Sequence, residues 1–192
     1  MKSVDCLPEG YKEYYSVDLQ KDKKTAFLVN AVALLIAVLM TVAMNFYIPV
    51  LTAFDIDGGL KQLIVRFVAM ILLLVLYLIL HEAVHGIAMK ICGAKKVKYG
   101  FTGLYAFAGS DDYYTKGAYI FIALAPIVFW GIVLAVVNIF VPTGWFWIVY
   151  VIQIMNISGA AGDLFVTVKF SRFPDDILVR DYGVGMTVYS KN

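Results

Sequence analysis

The sequence predicts an all-α integral membrane protein with four transmembrane helices and both termini in the cytoplasm. Three observations carry that expectation. Of 192 residues, 61% are hydrophobic and 16% charged, with a mean hydropathy of +0.80, whereas soluble domains sit near half apolar and about a quarter charged. The apolar residues fall in long uncharged runs, the pattern of spanning helices rather than of a core inside a polar shell. Lysine and arginine are also unevenly distributed along the chain: five precede the first run, five lie in Lys90 to Lys116, four follow the last run, and only Lys61 and Arg66 fall in the remaining loop. Positive charge concentrates on the cytoplasmic side of membrane proteins, which puts both ends there.

Taken in order, residues 1–24 form a polar cytoplasmic tail with five lysines. The apolar stretch behind it is about twice the length of a signal-peptide core and reads as a retained first span, 25–51. No charge occurs between Lys24 and Asp55, and about 20 apolar residues suffice to cross roughly 30 Å of hydrocarbon. Asp55-Ile56-Asp57-Gly58-Gly59 reads as a turn. A second span, 64–92, is apolar from Arg66 through Leu80 and continues into His81-Glu82-Ala83-Val84-His85, so its ionisable residues come late.

Residues 93–116 form a cytoplasmic or re-entrant loop, in which Gly100 to Gly109, glycine-punctuated and aromatic, predicts a short hairpin or re-entrant segment between helices two and three. The 46 uncharged residues from Gly117 to Gly162 are too many for one helix. Pro142-Thr143-Gly144 divides them into spans three, 117–141, and four, 145–168, with Trp145 and Trp147 as interfacial anchors. The tails 1–24 and 169–192 are each too short for a core of their own; they either pack under the bundle over the site or remain solvated.

The net charge of +2 needs no nucleic-acid partner, since basic residues flanking spans account for it. Cys6 and Cys92 are assigned to the cytoplasmic side, where thiols stay reduced, so no disulfide is expected.

The only two histidines, His81 and His85, stand four apart with Glu82 directly after the first. On a helix both imidazoles project from one face, where they can share a tetrahedral metal at about 2.0 to 2.1 Å, while Glu82, about 100° round, can act on the attacking water. Two histidines placed at random would fall four apart about once in 100 placements, and three polar groups inside a span are costly enough to mark function. A purely structural alternative has the histidines hydrogen-bonding across helices and Glu82 pairing with a lysine. A bis-histidine haem is excluded, because ligands on opposite sides of a ring cannot come from one helix at this spacing.

A catalytic zinc takes a third protein ligand. Asp163 is the candidate: it is the only charge in span four, and Asn156 precedes it by two turns on the same face. At about 1.5 Å per residue, His81 lies roughly 22 Å below Arg66 and Asp163 roughly 27 Å below Trp145, so both reach the cytoplasmic third. Gly159, Ala160, Ala161 and Gly162 would allow close helix approach. Asp111 and Asp112 are the rival third ligands. Asn156 either donates to a tetrahedral oxyanion or holds two helices together. Gly100 to Gly109 either pairs with an extended substrate strand or packs over the helices.

These motifs resemble site-2 protease-type intramembrane zinc metalloproteases, and more closely a family of small bacterial membrane zincin peptidases designated domain of unknown function 3267. The resemblance rests on Leu7-Pro8-Glu9-Gly10-Tyr11, the His81 to His85 helix, Ala123-Leu124-Ala125-Pro126, Asn156 through Asp163, and Asp181 through Tyr189. Site-2 proteases follow the zinc helix with a helix bearing an asparagine, a proline and an aspartate-glycine pair. Here Gly159 stands in place of that proline, Asp163 comes one residue early and Leu164 replaces the glycine. The resemblance implies a Zn2+-dependent endopeptidase of the bacterial inner membrane, cutting membrane-embedded or membrane-proximal peptides at a site towards the cytoplasm. On this reading the ligands are His81, His85 and Asp163, and Glu82 is the base. The competing reading is a non-catalytic scaffold or regulator with a zincin-like helix, for which a fourth protein ligand such as Cys92 would be wanted. The oligomeric state is not predicted.

Overall fold

A computed structural model describes the chain except residues 1, 19, 20, 57, 104, 105, 184 and 192. Asp57 of the expected turn and the tip of the Gly100–Gly109 segment therefore lie outside the described residues. Among the described residues there are five α-helices: α1 (Lys23–Asn45), α2 (Gly59–Ile91), α3 (Lys116–Phe140), α4 (Thr143–Gly159) and α5 (Ala161–Ser171). Four stretches among the described residues, α1, α2, α3 and Thr143–Ser171, are long and apolar enough to cross a membrane.

The expectation of an all-α chain is corrected. Alongside the helices stand a five-stranded antiparallel sheet, in the order β1 (Ser3–Val4), β5 (Tyr113–Thr115), β6 (Leu178–Asp181), β7 (Gly185–Ser190), β2 (Lys12–Asp18), and a two-stranded one, β3 (Lys98–Phe101) with β4 (Ala106–Gly109). The strands are short, and β2, β3 and β6 carry charged residues, so the long apolar runs dominate any reading by hydropathy. Only β-branched and aromatic residues such as Tyr15, Val17, Val188 and Tyr189 signal them. Both terminal tails enter the larger sheet, with β2 paired along the whole of β7 from Lys12↔Ser190 to Asp18↔Gly185. Neither tail could bury a core alone; paired, they share one.

Two compact units result. The first comprises residues 1–29, 80–126 and 162–192 and contains both sheets, the end of α2, the start of α3 and α5. Its core sets Met89 and Cys92 of α2, Ile122 of α3 and Phe170 of α5 with Tyr114, Val179 and Val188 from the sheet. The α1 entrance is capped by Asp22, whose carboxylate accepts the Thr25 N–H at 3.1 Å.

The second unit comprises residues 30–79 and 127–161. Phe146, Trp147 and Tyr150 of α4 pack with Ala37, Met40 and Met44 of α1. Trp147, expected as an interfacial anchor, is buried, and its indole N–H is 3.2 Å from both the Ile48 and Pro49 carbonyls, which ties down the chain after α1. Arg66 is buried as well. Its guanidinium donates to the Asp55 carbonyl at 3.2 Å and lies where a side chain on Gly144 would begin, with Nη2 2.6 Å from that position. Leu34, Leu35 and Leu39 of α1 are exposed, apolar surface of a kind that fits a bilayer.

The fourth apolar stretch is interrupted. Ala160 (φ −82, ψ 18) ends α4 and α5 restarts at Ala161, so Asp163 falls in the first turn of a new helix, where a carboxylate suits the helix dipole.

Candidate metal centre

His81, His85 and Asp163 each offer a ligand atom, all within 4.8 Å of one another. The first two project from the same face of α2 because they are one helical turn apart, with ring centroids separated by 5.0 Å. Asp163 reaches them from α5: its Oδ2 is 3.8 Å from His81 Nε2 and 3.7 Å from His85 Nε2. These separations are too long for direct hydrogen bonds. They approach the ligand–ligand edge of about 3.3 to 3.5 Å that tetrahedral zinc imposes at ordinary bond lengths. The side chains are 12% exposed for the histidines and 27% for the aspartate, partly open to water or substrate.

His85 supplies the clearest indication of donor chemistry. Its Nδ1 lies 3.0 Å from the Ile122 carbonyl of α3. A carbonyl can only accept, so Nδ1 carries a proton, and Nε2 is the ring atom turned towards Asp163. With Nδ1 engaged, Nε2 is the atom free to act as a ligand, and two imidazoles with one carboxylate are a donor set that suits zinc. The residues fit the group.

Glu82 follows His81 on α2 and lies beside the Ala108 backbone N–H of β4. The β3–β4 hairpin is held over this helix by close packing at glycines. The Tyr99 hydroxyl lies 1.9 Å from where Gly86 would carry a Cβ, and the Phe107 ring occupies the corresponding space at both Gly100 and Gly183. Only glycine at residue 86 lets Tyr99 rest on the motif helix.

The other candidates have their own partners. Asp112 is buried and accepts the Lys95 N–H at 3.0 Å and the Ser110 hydroxyl at 2.8 Å, which organises the loop after α2. Asp111 pairs with Lys98 at 2.5 Å and Arg180 at 3.1 Å. Asn156, in the second unit, accepts from the Tyr77 hydroxyl at 3.1 Å and donates to the Ile127 carbonyl at 3.1 Å, a link between helices of that unit. Cys92 is buried with its Sγ 3.9 Å from the Ala118 carbonyl and stands outside the three-residue cluster.

Sequence reading missed Asp181 and Tyr119. The Tyr119 hydroxyl donates to Asp181 Oδ2 at 2.7 Å, the Gly183 N–H to Oδ1 at 2.8 Å, and burial pushes the Asp181 carboxyl above the usual range. Asp181 also feels the charges of His85 and Asp163. Its neighbours in sequence, Tyr182 and Gly183, suggest only a turn, and nothing local signals a buried carboxyl that Tyr119 would hold.

A chain with four stretches long and apolar enough to cross a membrane, and a His-Glu-x-x-His helix facing an aspartate, has the residues of a zincin-type metal site. It belongs to the family described as "Putative zincin peptidase" (DUF3267), whose match covers residues 74–178 and so includes every residue of the cluster. No curated protein and no solved structure matches the chain.

Proposed function

We propose that the chain is an integral membrane zinc endopeptidase that hydrolyses peptide bonds of membrane-embedded or membrane-proximal substrates. The observation that carries this reading is the convergence of His81, His85 and Asp163 within 4.8 Å beside Glu82. His81 and His85 would hold the metal through Nε2 and Asp163 through a carboxylate oxygen. When bound, zinc supplies Lewis acidity, lowering the pKa of water towards about 7 and polarising a peptide carbonyl. Glu82 takes the proton of the attacking water as the carbon–oxygen bond forms, then delivers it to the departing amine as the carbon–nitrogen bond breaks.

The distribution of lysine and arginine supports an orientation with both termini cytoplasmic, which puts this centre towards the cytoplasmic side of a bacterial inner membrane. A scaffold holding a structural metal would want four protein ligands, and the cluster among the described residues contains three.

The first test is zinc content per chain after metal-replete purification in detergent. Wild type is expected to carry about one zinc and Asp163→Ala to lose most of it; wild type without zinc sinks the proposal. The second uses synthetic single-span peptides in proteoliposomes, with cleavage read by mass spectrometry. Glu82→Gln is expected to lower turnover by about 10²- to 10⁴-fold with zinc retained. Undiminished cleavage by Glu82→Gln would remove Glu82 from the mechanism.

A further inference from the structure

We propose that Pro126 is a positioning residue for His85: by withholding a backbone N–H it leaves the Ile122 carbonyl open to the His85 ring, which sets the tautomer that aims Nε2 at Asp163. Its importance for metal binding rests on the zinc reading above; the hydrogen bond itself does not.

In an α-helix each carbonyl accepts the N–H four residues on. Pro126 lies inside α3, four residues after Ile122, and proline has no N–H to give. Ile122 is buried, 1% exposed, so water is a poor substitute and a vacant carbonyl there is costly. His85 Nδ1 meets that carbonyl at 3.0 Å. A neutral imidazole has a single N–H; committed to Ile122, it leaves Nε2 as the lone-pair atom, and Nε2 faces Asp163 Oδ2 at 3.7 Å.

Proline in a helix interior is destabilising, and Pro126 is fully buried, away from any helix start or surface turn. The histidine bond gives it a use: the same missing donor that weakens α3 supplies the acceptor that orients a ligand on α2. Partners of this kind typically change metal affinity by about 10- to 100-fold when removed. Any other residue at position 126 would bring an N–H that competes with the ring for the Ile122 carbonyl.

The chain has two histidines, so histidine labelled with ¹⁵N in the full-length untagged protein reports two rings, and His81 serves as the internal control. Metal-free wild type, recorded in alkaline conditions that keep both rings neutral, is expected to show His85 protonated on Nδ1. In Pro126→Ala that preference is lost while His81 is unmoved, and zinc, titrated as the free metal, binds about 10-fold or more weakly. Pro126→Val, closer to proline in volume, gives the same result if the Ala variant does not fold. The proposal is overturned if wild-type His85 is protonated on Nε2, or if the variants leave both its tautomer and the zinc affinity unchanged. A wild type with the expected tautomer that takes up no zinc supports the hydrogen-bond assignment and overturns the zinc reading instead.

Discussion

At the residue scale, small differences in what each carboxylate touches separate a candidate ligand from structural acids. Asp163 faces two imidazoles at 3.7 and 3.8 Å, whereas Asp112 is consumed by the Lys95 N–H and the Ser110 hydroxyl. Asp111 is held below its usual range by hydrogen bonds from Lys98 and Arg180, and it links β3 of the hairpin to β6 of the larger sheet. A carboxyl depressed in the folded state contributes stability that is present above its ordinary pKa of about 3.9 and is lost as pH falls through the folded value. Acidification below about pH 4 should therefore loosen the hairpin before the rest of the sheet. Hydrogen exchange of β3 amides, corrected for intrinsic rates, should accelerate there, and Asp111→Asn should show the acceleration already at neutral pH. Equal protection in the variant and wild type at neutral pH would deny Asp111 this role.

At the element scale, α5 does two things at once. Its first turn presents Asp163, and its far end buries Phe170, fully enclosed and with its ring 5.6 Å from Tyr119 and 5.4 Å from Phe173. Phe170 thereby holds the helix that carries the aspartate against α3 and the sheet. Phe170→Ala removes a large buried ring and should destabilise the first unit by about 3–5 kcal/mol, read as a lower midpoint in detergent thermal unfolding. Its effect on zinc content should be smaller than that of Asp163→Ala at temperatures where the variant is folded. A midpoint unchanged from wild type would mean that α5 is held by something other than this packing.

At the scale of the whole molecule, the chain departs from a plain four-helix bundle because its first, middle and last segments meet in one sheet. β1 pairs β5 at Ser3↔Tyr114, β5 pairs β6 at Tyr113↔Arg180, and β2 closes the far edge against β7. Deleting residues 1–18 would strip both outer strands and leave the edges of β5 and β7 unpaired, a state that invites aggregation and local opening. The deletion variant should lose hydrogen-exchange protection in β7 and elute as larger assemblies in detergent; a monodisperse variant with β7 still protected would show that the tails are dispensable.

Much of the candidate centre was legible in one dimension. His81, Glu82 and His85 are local, and helical periodicity alone puts the imidazoles on one face. The apolar runs likewise reveal the candidate spans, because length and hydropathy are properties of the chain itself. Asp163 stood out as a lone charge in an apolar stretch, but its approach to the histidines, and the separate engagements of Asp111 and Asp112, depend on elements far apart in sequence. The sheet escaped notice because its strands run only two to seven residues, and β1 and β2 are stabilised by partners more than a hundred positions away rather than by a local pattern. The use of Pro126 escaped notice for the same reason: proline's missing donor is written in the sequence, but only the packing of α3 against α2 decides which group takes its place. Covalent chemistry and short-range periodicity determined which residues could bind a metal, and long-range burial and hydrogen bonding decided which of them face one another.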